Sequence, residues 1–190
     1  MPITCFGNNS REGAYVLFIH LSKESSLAFG KFLQGTSIPF EPGFYLYVGS
    51  ALGNSSSAMP LARRLVRHAS RSNGKAPHKI RAQMIRFFQE NNLVTQGLHP
   101  PAGKKLHWHI DYLLDSQDAQ IVSVLIIRSP DRLESALSNL AASLDETFVV
   151  AQGLGARDVR SSTHLLGVRN LDSCLFAFEK KIPALLRKEA

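Results

Sequence analysis

The sequence predicts an α+β domain organised around antiparallel strands. Two runs of aromatic and β-branched residues, 13–21 and 43–51, are separated only by a short stretch rich in glycine and proline. Strands that are joined by a short connection usually pair antiparallel. Two later segments, 59–72 and 129–144, repeat their apolar residues with the period of an amphipathic helix. A chain of 190 residues is the size of a single domain with its own core, here taken as 1–190.

The strands are predicted from composition and from the residues that end them. "GAYVLFIHL" (13–21) is opened by a glycine and reads as a buried strand, and "GFYLYVGSA" (43–51) alternates bulky side chains until Gly49 and Ser50 interrupt it. The intervening "SLAFGKFLQGTSIPFEPG" (26–43) predicts a short paired element with turns, because glycine and proline recur through it.

The helix at 59–72 has Pro60 in its first turn, and serines 55 to 57 precede it as candidate caps. The helix at 129–144 has a Ser cap and Pro130 at its first position. Between these two helices, 73–104 is charged and rich in turns around a third predicted helix, 78–92.

The remaining segments give weaker patterns. Residues 119–128 read as a strand and 147–152 as a short strand, while "LHWHIDYLL" (106–114) is strand-like but could begin a helix. From about 169 the chain is an amphipathic, basic extension in which Pro183 is expected to interrupt the helix.

Charge and cysteine content narrow the classes of partner. The formal net charge is +7, which favours a polyanionic partner over a neutral one. No apolar run approaches the ~18 residues that a membrane span requires, and the opening "MPITCFGNNSREG" does not resemble a signal peptide. The two cysteines, Cys5 and Cys174, are far apart and lack the spacing of metal ligands. We therefore expect a cytoplasmic protein with two inert thiols.

Three strand tyrosines raise the question of what their hydroxyls contact. Residues two apart in a strand share a face, so Tyr45 and Tyr47 point one way, and Tyr15 shares a face with its own apolar neighbours. If the two strands pair, Tyr15 and Tyr47 can meet on one side of the sheet. Packing in the core would explain these rings equally well, but a buried phenol still needs a polar partner.

The helix at 59–72 can supply that partner. On a helical projection one broad side holds Leu61, Arg64, Leu65, His68 and Ala69. The other side holds a basic stripe that we expect to be solvated and to contact backbone phosphates: Arg63, Arg67 and Arg71. An arginine beside an apolar face needs an anion, so Arg64 and the histidine one turn later indicate a phosphate site.

Two further groups of residues carry candidate metal ligands. Glu134 lies at the edge of the apolar face of its helix, where it is either a surface carboxylate or the single protein ligand of a cation such as Mg²⁺. If "HWHID" is a strand, His107, His109 and Asp111 share a face and could bind zinc with a fourth ligand. The alternatives are that His109 and Asp111 fix the fold or touch a bound phosphate, and His164 has the same open choice.

Together these motifs resemble the signature of the GIY-YIG nuclease superfamily: "GAY" at 13–15, "YVG" at 47–49, Arg64 with His68, and a later helical glutamate. The chain is most similar to a small subgroup of unknown function, found alone or joined to endonuclease III-type proteins. Four blocks, which together span roughly 12–168, match that subgroup in order: "PGFYLYVGSALG", "RLVRH", "HWHIDYLL" and "GLGARDVRSSTHLLGV".

The resemblance implies a small antiparallel central sheet, about three-stranded, flanked by helices. It assigns catalytic roles to Tyr15, Tyr47, Arg64, His68 and Glu134, with Glu134 holding Mg²⁺ or Mn²⁺. The longer gap before "HWHID" marks 73–104 as a probable insertion, which we expect to form a substrate-gripping flap outside the core. The candidate nucleic-acid contacts are Gly49, Ser50, Arg63, Arg67, Arg71 and His109.

Two functions follow from this resemblance. The first is a metal-dependent endonuclease that hydrolyses a phosphodiester of DNA, or of RNA, with DNA repair or processing as its expected role and Tyr15 as the preferred general base. For this, Arg64 and the cation must lower the tyrosine pKa, whose unperturbed value is about 10. The second is a nucleic-acid-binding module that keeps the fold without cutting and assists a repair enzyme, which is a candidate partner.

Overall fold

The computed structural model describes residues 2–53, 59–94, 97–155 and 163–188. Its strands in chain order are β1 Ile3–Gly7, β2 Gly13–Leu21, β3 Ser25–Leu27, β4 Ile38–Phe40, β5 Gly43–Ala51, β6 Ala119–Arg128, β7 Thr147–Val149 and β8 Leu165–Val168. The helices are α1 Pro60–His68, α2 Arg81–Glu90, α3 His109–Leu114, α4 Glu134–Ala142 and α5 Leu171–Lys188, with a 3₁₀ turn at Phe32–Gly35. The expected α+β class is therefore confirmed.

Across these described segments the main sheet has six strands in the order β1-β6-β2-β5-β8-β7, and β3 pairs with β4 in a separate hairpin. β2 pairs antiparallel with β5, as the short connection between these two strands predicted, and it also pairs antiparallel with β6. β1 is parallel to β6, so the sheet is mixed. The register places Tyr15 opposite Gly49 and Leu17 opposite Tyr47, so the two tyrosines are diagonal neighbours.

The expected three-stranded antiparallel sheet is thus wrong in size and in one pairing. β1 lies in the opening "MPITCFGNNSREG", where no strand was predicted, and β8 lies in a motif block to which no strand was assigned. The four residues of β8 are all buried, because an apolar core covers each face of the sheet. A strand this short, without alternation, has no period from which it can be recognised.

Of the two alternatives for "LHWHIDYLL", the helix is confirmed, because this block contains α3 and no strand, so its histidines and Asp111 do not share a strand face. Two other helices differ from expectation. α4 begins at Glu134, because Ser129 bonds Asp131 in a turn that precedes the helix. α5 continues through Pro183 as one helix, so the proline does not interrupt it. The serines proposed as caps for α1 lie outside the described residues, and Met59 occupies the cap position.

Each face of the main sheet has its own apolar core. One core joins the sheet face of Tyr15, Leu17 and Tyr47 to α1, α2 and α3. The other joins the face of Leu46 and Val48 to α4 and α5. The alternation of β5 therefore separates its tyrosines from its aliphatic residues, as predicted.

The segment 73–104 belongs to the first core, which contradicts the expectation of a flap outside it. Met84, Phe88 and Leu93 are fully buried there. His78 also links two distant elements: its Nε2 contacts the carbonyl oxygen of Leu114 at 2.9 Å, and its Nδ1 accepts the backbone N–H of Ile121 at 3.1 Å. Whether the segment is an insertion relative to other family members stays a prediction.

No helix in the described part of the chain is both long and apolar enough to cross a membrane. Cys5 is partly buried and Cys174 is fully buried, and both are free thiols. Burial raises the pKa of Cys174 to about 12, so this thiol stays protonated and inert.

Candidate active site

A hydrogen bond between strand β2 and helix α1 forms the centre of the site. The hydroxyl of Tyr15 lies 2.8 Å from Nε2 of His68, and both side chains are about 1% exposed. α1 brings the imidazole there because Leu61 and Leu65, which share its side of the helix, pack into the core. The sequence-based expectation that the helix supplies a partner for a buried phenol is met at Tyr15.

Gly49 makes room for that phenol. A Cβ atom built on Gly49 would lie 2.5 Å from the hydroxyl oxygen of Tyr15 and 2.7 Å from the ring carbon that bears it. These contacts are far inside van der Waals distance, and the fully buried ring of Tyr15 has little space to move. The glycine of the "YVG" motif is therefore needed for its missing side chain.

We expect Gly49→Ala to displace the Tyr15 ring from His68 and to lower the free energy of unfolding by about 1–3 kcal/mol, the usual cost of overpacking a core. Denaturant unfolding measures the change. Gly103→Ala is the matched control, because its added methyl group would meet no atom within 4 Å. Equal stability of the two variants would contradict the close approach of Tyr15 to Gly49.

Tyr47 and Arg64 complete this side of the site. The Tyr47 ring lies 6.4 Å from that of Tyr15 and 6.1 Å from that of His68. Its hydroxyl makes no hydrogen bond with a residue that the structure describes, in contrast to that of Tyr15. The guanidinium of Arg64 stacks 4.4 Å from the ring centre of Trp108 and is near enough for its charge to favour ionisation of both phenols.

No carboxylate of the described residues forms an ion pair with Arg64. Within the described residues it makes neither a hydrogen bond nor an ion pair, and only part of its surface is exposed. Its neighbour one turn later, Arg67, stacks on the same indole at 4.4 Å but is held by a carboxylate. A positive group that is placed by stacking and lacks an anion can accept one from a ligand.

A second polar cluster lies at the end of β5, on the face that packs against α4. The hydroxyl of Ser50 donates to Oε2 of Glu134, the first residue of α4. Nδ1 of His164, just before β8, lies 3.1 Å from Oε1 of the same carboxylate. The carboxylate stands between the hydroxyl and the imidazole, so the cluster lacks the serine–imidazole contact of a hydrolase triad.

The charges of the two clusters interact across β5. Burial raises the pKa of Tyr15 well above its ordinary value, and Tyr47 and Glu134 raise it further. Burial likewise raises the pKa of Tyr47, again with a contribution from Glu134. Arg64 opposes both shifts but does not outweigh burial, so Arg64 alone does not lower the tyrosine pKa. The expected joint effect of Arg64 and a cation stays a prediction.

The pKa of the His68 imidazole and the pKa of the Glu134 carboxylate are both lowered, for different reasons. Burial lowers the pKa of His68 to about 4, so the ring is neutral near pH 7. Burial works to raise the pKa of Glu134, but the contacts with His164 and Ser50 outweigh it and the pKa is lowered. The resting site therefore holds a protonated phenol, a neutral imidazole at position 68 and an ionised carboxylate.

Residues 14–187 match the family model described as a domain of unknown function, DUF123. The chain belongs to the DUF123 family. No curated protein and no solved structure matches it.

In this DUF123 member the three arginines of the expected basic stripe do not share one solvent-exposed face of α1. Only Arg63 is exposed. Arg67 forms a bidentate pair with Asp111, with both N–O distances 2.9 Å. Arg71 lies beyond the end of α1, is buried, and donates to backbone carbonyl oxygens, among them that of Leu114 at 3.2 Å. The helical projection failed because α3 and the segment 73–104 fold over this side of α1.

The "HWHID" block is structural around its aspartate. Oδ2 of Asp111 accepts the backbone N–H groups of His107 and Trp108 at 2.9 and 3.1 Å, which caps α3. Nδ1 of His109 accepts the backbone N–H of Gly155 at 3.2 Å, and its ring lies 5.0 Å from that of Phe32. Over the described ranges no three His, Cys, Asp or Glu side chains are grouped to bind a metal, so the zinc alternative finds no support there.

Two residues of the site could not be placed from the sequence. The sequence left the role of His164 open, and the structure pairs this histidine with Glu134. Trp108 was not predicted to be a site residue, although Arg64 and Arg67 both stack on its indole. The signal for Trp108 was its position as the chain's sole tryptophan inside a motif block. Part of the block at 153–166 lies outside the described residues.

A basic cleft adjoins the site. It encloses about 330 Å³ and is lined by Arg63 and Arg67 of α1 and by the segment that includes Leu98, His99 and Pro101. Arg67 of this cleft and Arg64 stack on the same indole, that of Trp108. The lining combines guanidinium groups with apolar side chains, as ligand pockets commonly do.

Proposed function

We propose that this DUF123 member is a metal-dependent endonuclease of the GIY-YIG type that hydrolyses a phosphodiester of DNA, or of RNA. The observation that carries the proposal is the Tyr15–His68 hydrogen bond beside Arg64, a positive side chain without a carboxylate partner in the described structure. A phenol on an imidazole, next to a guanidinium that forms no ion pair with a described carboxylate, is suited to binding a phosphate and moving a proton at it.

The proposed reaction assigns one task to each group. The water oxygen attacks phosphorus, and its proton passes to the oxygen of Tyr15 as the phenol proton passes to Nε2 of His68. The new O–P bond replaces the bond to the leaving oxygen, which takes a proton from solvent. Arg64 stabilises the negative charge that accumulates on the phosphoryl oxygens.

The implied cation is compatible with Glu134. Its carboxylate is ionised, its side chain is 32% exposed, and each oxygen keeps a lone pair beyond its contact with Ser50 or His164. Mg²⁺ retains most of its waters and needs only one or two protein carboxylates. A cation held there would stabilise charge on the leaving oxygen.

The accessory module is the second candidate, and the protonation states favour it. Burial holds the tyrosine protons tightly while it makes His68 a weak base, so proton transfer between them is unfavourable before a ligand binds. A protein that only binds nucleic acid needs no such transfer. A repair enzyme as partner and a cytoplasmic location both stay predictions.

Incubation of the purified protein with plasmid and branched DNA, with and without Mg²⁺ or Mn²⁺, tests the proposal. Cleavage that requires the cation and disappears in Tyr15→Phe supports the endonuclease. Binding without cleavage in any divalent cation would replace it with the accessory module.

The exposed Arg63 gives a separate prediction about binding. If it contacts one phosphate, Arg63→Ala should reduce the slope of log affinity against log salt by about one unit. Fluorescence anisotropy over a salt series measures the slope. Lys181→Ala removes an exposed charge from α5, on the opposite face of the sheet, and should leave the slope unchanged. Equal slopes for all three proteins would show that Arg63 is only a solvated side chain.

A further inference from the structure

A buried charge cluster lies directly behind the imidazole of the candidate site. Asp111 and Lys104 have fully buried side chains, and Nζ of Lys104 lies 3.4 Å from Oδ1 of Asp111. Arg67 pairs with both oxygens of the same carboxylate. Buried charges are costly unless they are paired, so a cluster of this kind needs a physical explanation beyond packing.

The carboxylate of Asp111 is fixed in orientation. Oδ2 accepts two backbone N–H groups and one N–H of the Arg67 guanidinium. Oδ1 accepts a second N–H of the same guanidinium and faces Nζ of Lys104. These contacts keep Asp111 ionised: burial works against ionisation, but the neighbouring His68, Arg67 and Lys104 outweigh it and hold the pKa well below its usual range. The negative charge is therefore permanent and cannot rotate away.

Oδ1 of Asp111 points at the far side of His68. It lies 3.7 Å from Nδ1, which is beyond hydrogen-bond distance but close enough for a strong electrostatic effect. Nδ1 is buried and has no hydrogen-bond partner in the described part of the chain. Opposite a carboxylate, a protonated Nδ1 is attracted, whereas a lone pair on Nδ1 is repelled.

We propose that Asp111 is a positioning residue that fixes the Nδ1–H tautomer of His68 and so makes Nε2 the acceptor for the hydroxyl of Tyr15. The Tyr15–His68 contact alone does not decide which atom donates, because a neutral imidazole can be protonated on either nitrogen. Arg67 and Lys104 hold the carboxylate in place, and together they set the direction of the proton. The catalytic consequence, that Tyr15 can lose its proton towards His68, rests on the proposed endonuclease function.

Nitrogen-15 NMR of the imidazoles tests the tautomer directly, with the His68 signals identified from their loss in His68→Gln. In the wild type we expect neutral His68 protonated on Nδ1. Asp111→Asn should move at least part of the population to the Nε2–H form, because the negative charge is gone. Wild-type His68 protonated on Nε2, or an unchanged tautomer in Asp111→Asn, would overturn the proposal.

Asp115→Asn is the matched control. Asp115 follows the same helix, is buried, and is paired at 2.6 Å with Lys75 and at 2.7 Å with the Ser72 hydroxyl, without facing His68. The Asp115→Asn variant should lose stability as Asp111→Asn does, but it should leave the tautomer of His68 unchanged. Equal tautomer shifts in both variants would show a general loosening of α3, which would also overturn the proposal.

A third variant decides the question if Asp111→Asn does not fold. The charged and titratable groups near His68 are Tyr15 of β2, Tyr47 of β5, Arg67 of α1, Asp111 of α3, His78 and Lys104. Lys104→Met removes a positive charge that pairs with Asp111 and lowers the pKa of His68. The Nδ1–H tautomer should therefore persist, and the pKa of His68 should rise by at least about half a unit. An unchanged pKa would overturn the proposal.

Cleavage provides the second measurement. If the wild type cuts nucleic acid, Asp111→Asn should lower the turnover rate at least about 10-fold with little change in KM, whereas Asp115→Asn should leave both unchanged. A wild type that cuts nothing refutes the endonuclease but not the tautomer, which NMR reads without substrate. The two proposals therefore fail separately.

Discussion

Arg64→Ala should reduce cleavage at least about 100-fold, the usual scale for removing one preorganised charge from a transition state. Trp108 places the guanidinium by stacking, so the variant loses a fixed positive group and keeps its surrounding structure. Single-turnover cleavage at saturating protein, with affinity measured separately by anisotropy, distinguishes the chemical step from binding. Tyr15→Phe and Glu134→Ala should each show a loss of similar size.

Three comparisons make this result specific. Arg86→Ala removes an exposed arginine from α2 and should cut at the wild-type rate. Glu134→Ala should also abolish the response to added Mg²⁺, whereas Arg64→Ala should keep a metal response in its residual activity. Wild-type cleavage rates in both Arg64→Ala and Tyr15→Phe would remove these residues from the reaction.

Phe88→Ala should lower the free energy of unfolding by about 3–5 kcal/mol, the range for truncating a fully buried phenylalanine. Phe88 lies on α2 inside the segment 73–104, with no exposed surface, and packs in the same core as Tyr15. The melting temperature should fall by about 10 °C, which thermal unfolding followed by circular dichroism measures.

Phe176→Ala is the control for this prediction, because Phe176 is 57% exposed on α5. It should change stability by no more than about 0.5 kcal/mol. If Phe88→Ala were as mild as Phe176→Ala, the segment 73–104 would be a separable flap after all, and its deletion would be tolerated. With α2 in the core, we expect deletion of 74–103 to abolish cooperative unfolding.

The long strands could be predicted from the sequence, and the short ones could not. β2 and β5 each have nine residues, so alternation and composition identify them and the faces of Tyr15 and Tyr47. β8 is defined by long-range contacts, such as the bond from the Val48 N–H to the His164 carbonyl oxygen at 2.9 Å. Such a pairing leaves no local pattern in four residues.

Within the site, residues on regular elements were predictable and their distant partners were not. The one-turn spacing of Arg64 and His68 identified the side of α1 that faces the tyrosines. The same projection assigned Arg67 to solvent, because it cannot know that Asp111 from another helix will bind it. The choice of helix over strand for "HWHID" has the same cause, since the capping carboxylate is positioned by Arg67.

The positions of the site residues along the chain also determine when the site can form during protein synthesis. Tyr15 and His68 are made early, whereas Glu134 follows roughly 3 to 13 seconds later at usual rates of about 5 to 20 residues per second. His164, which pairs with that carboxylate, comes later still, just before β8 joins β5. A growing chain therefore carries the phenol and the imidazole before it carries the carboxylate, and the complete site can form only after His164 has been made.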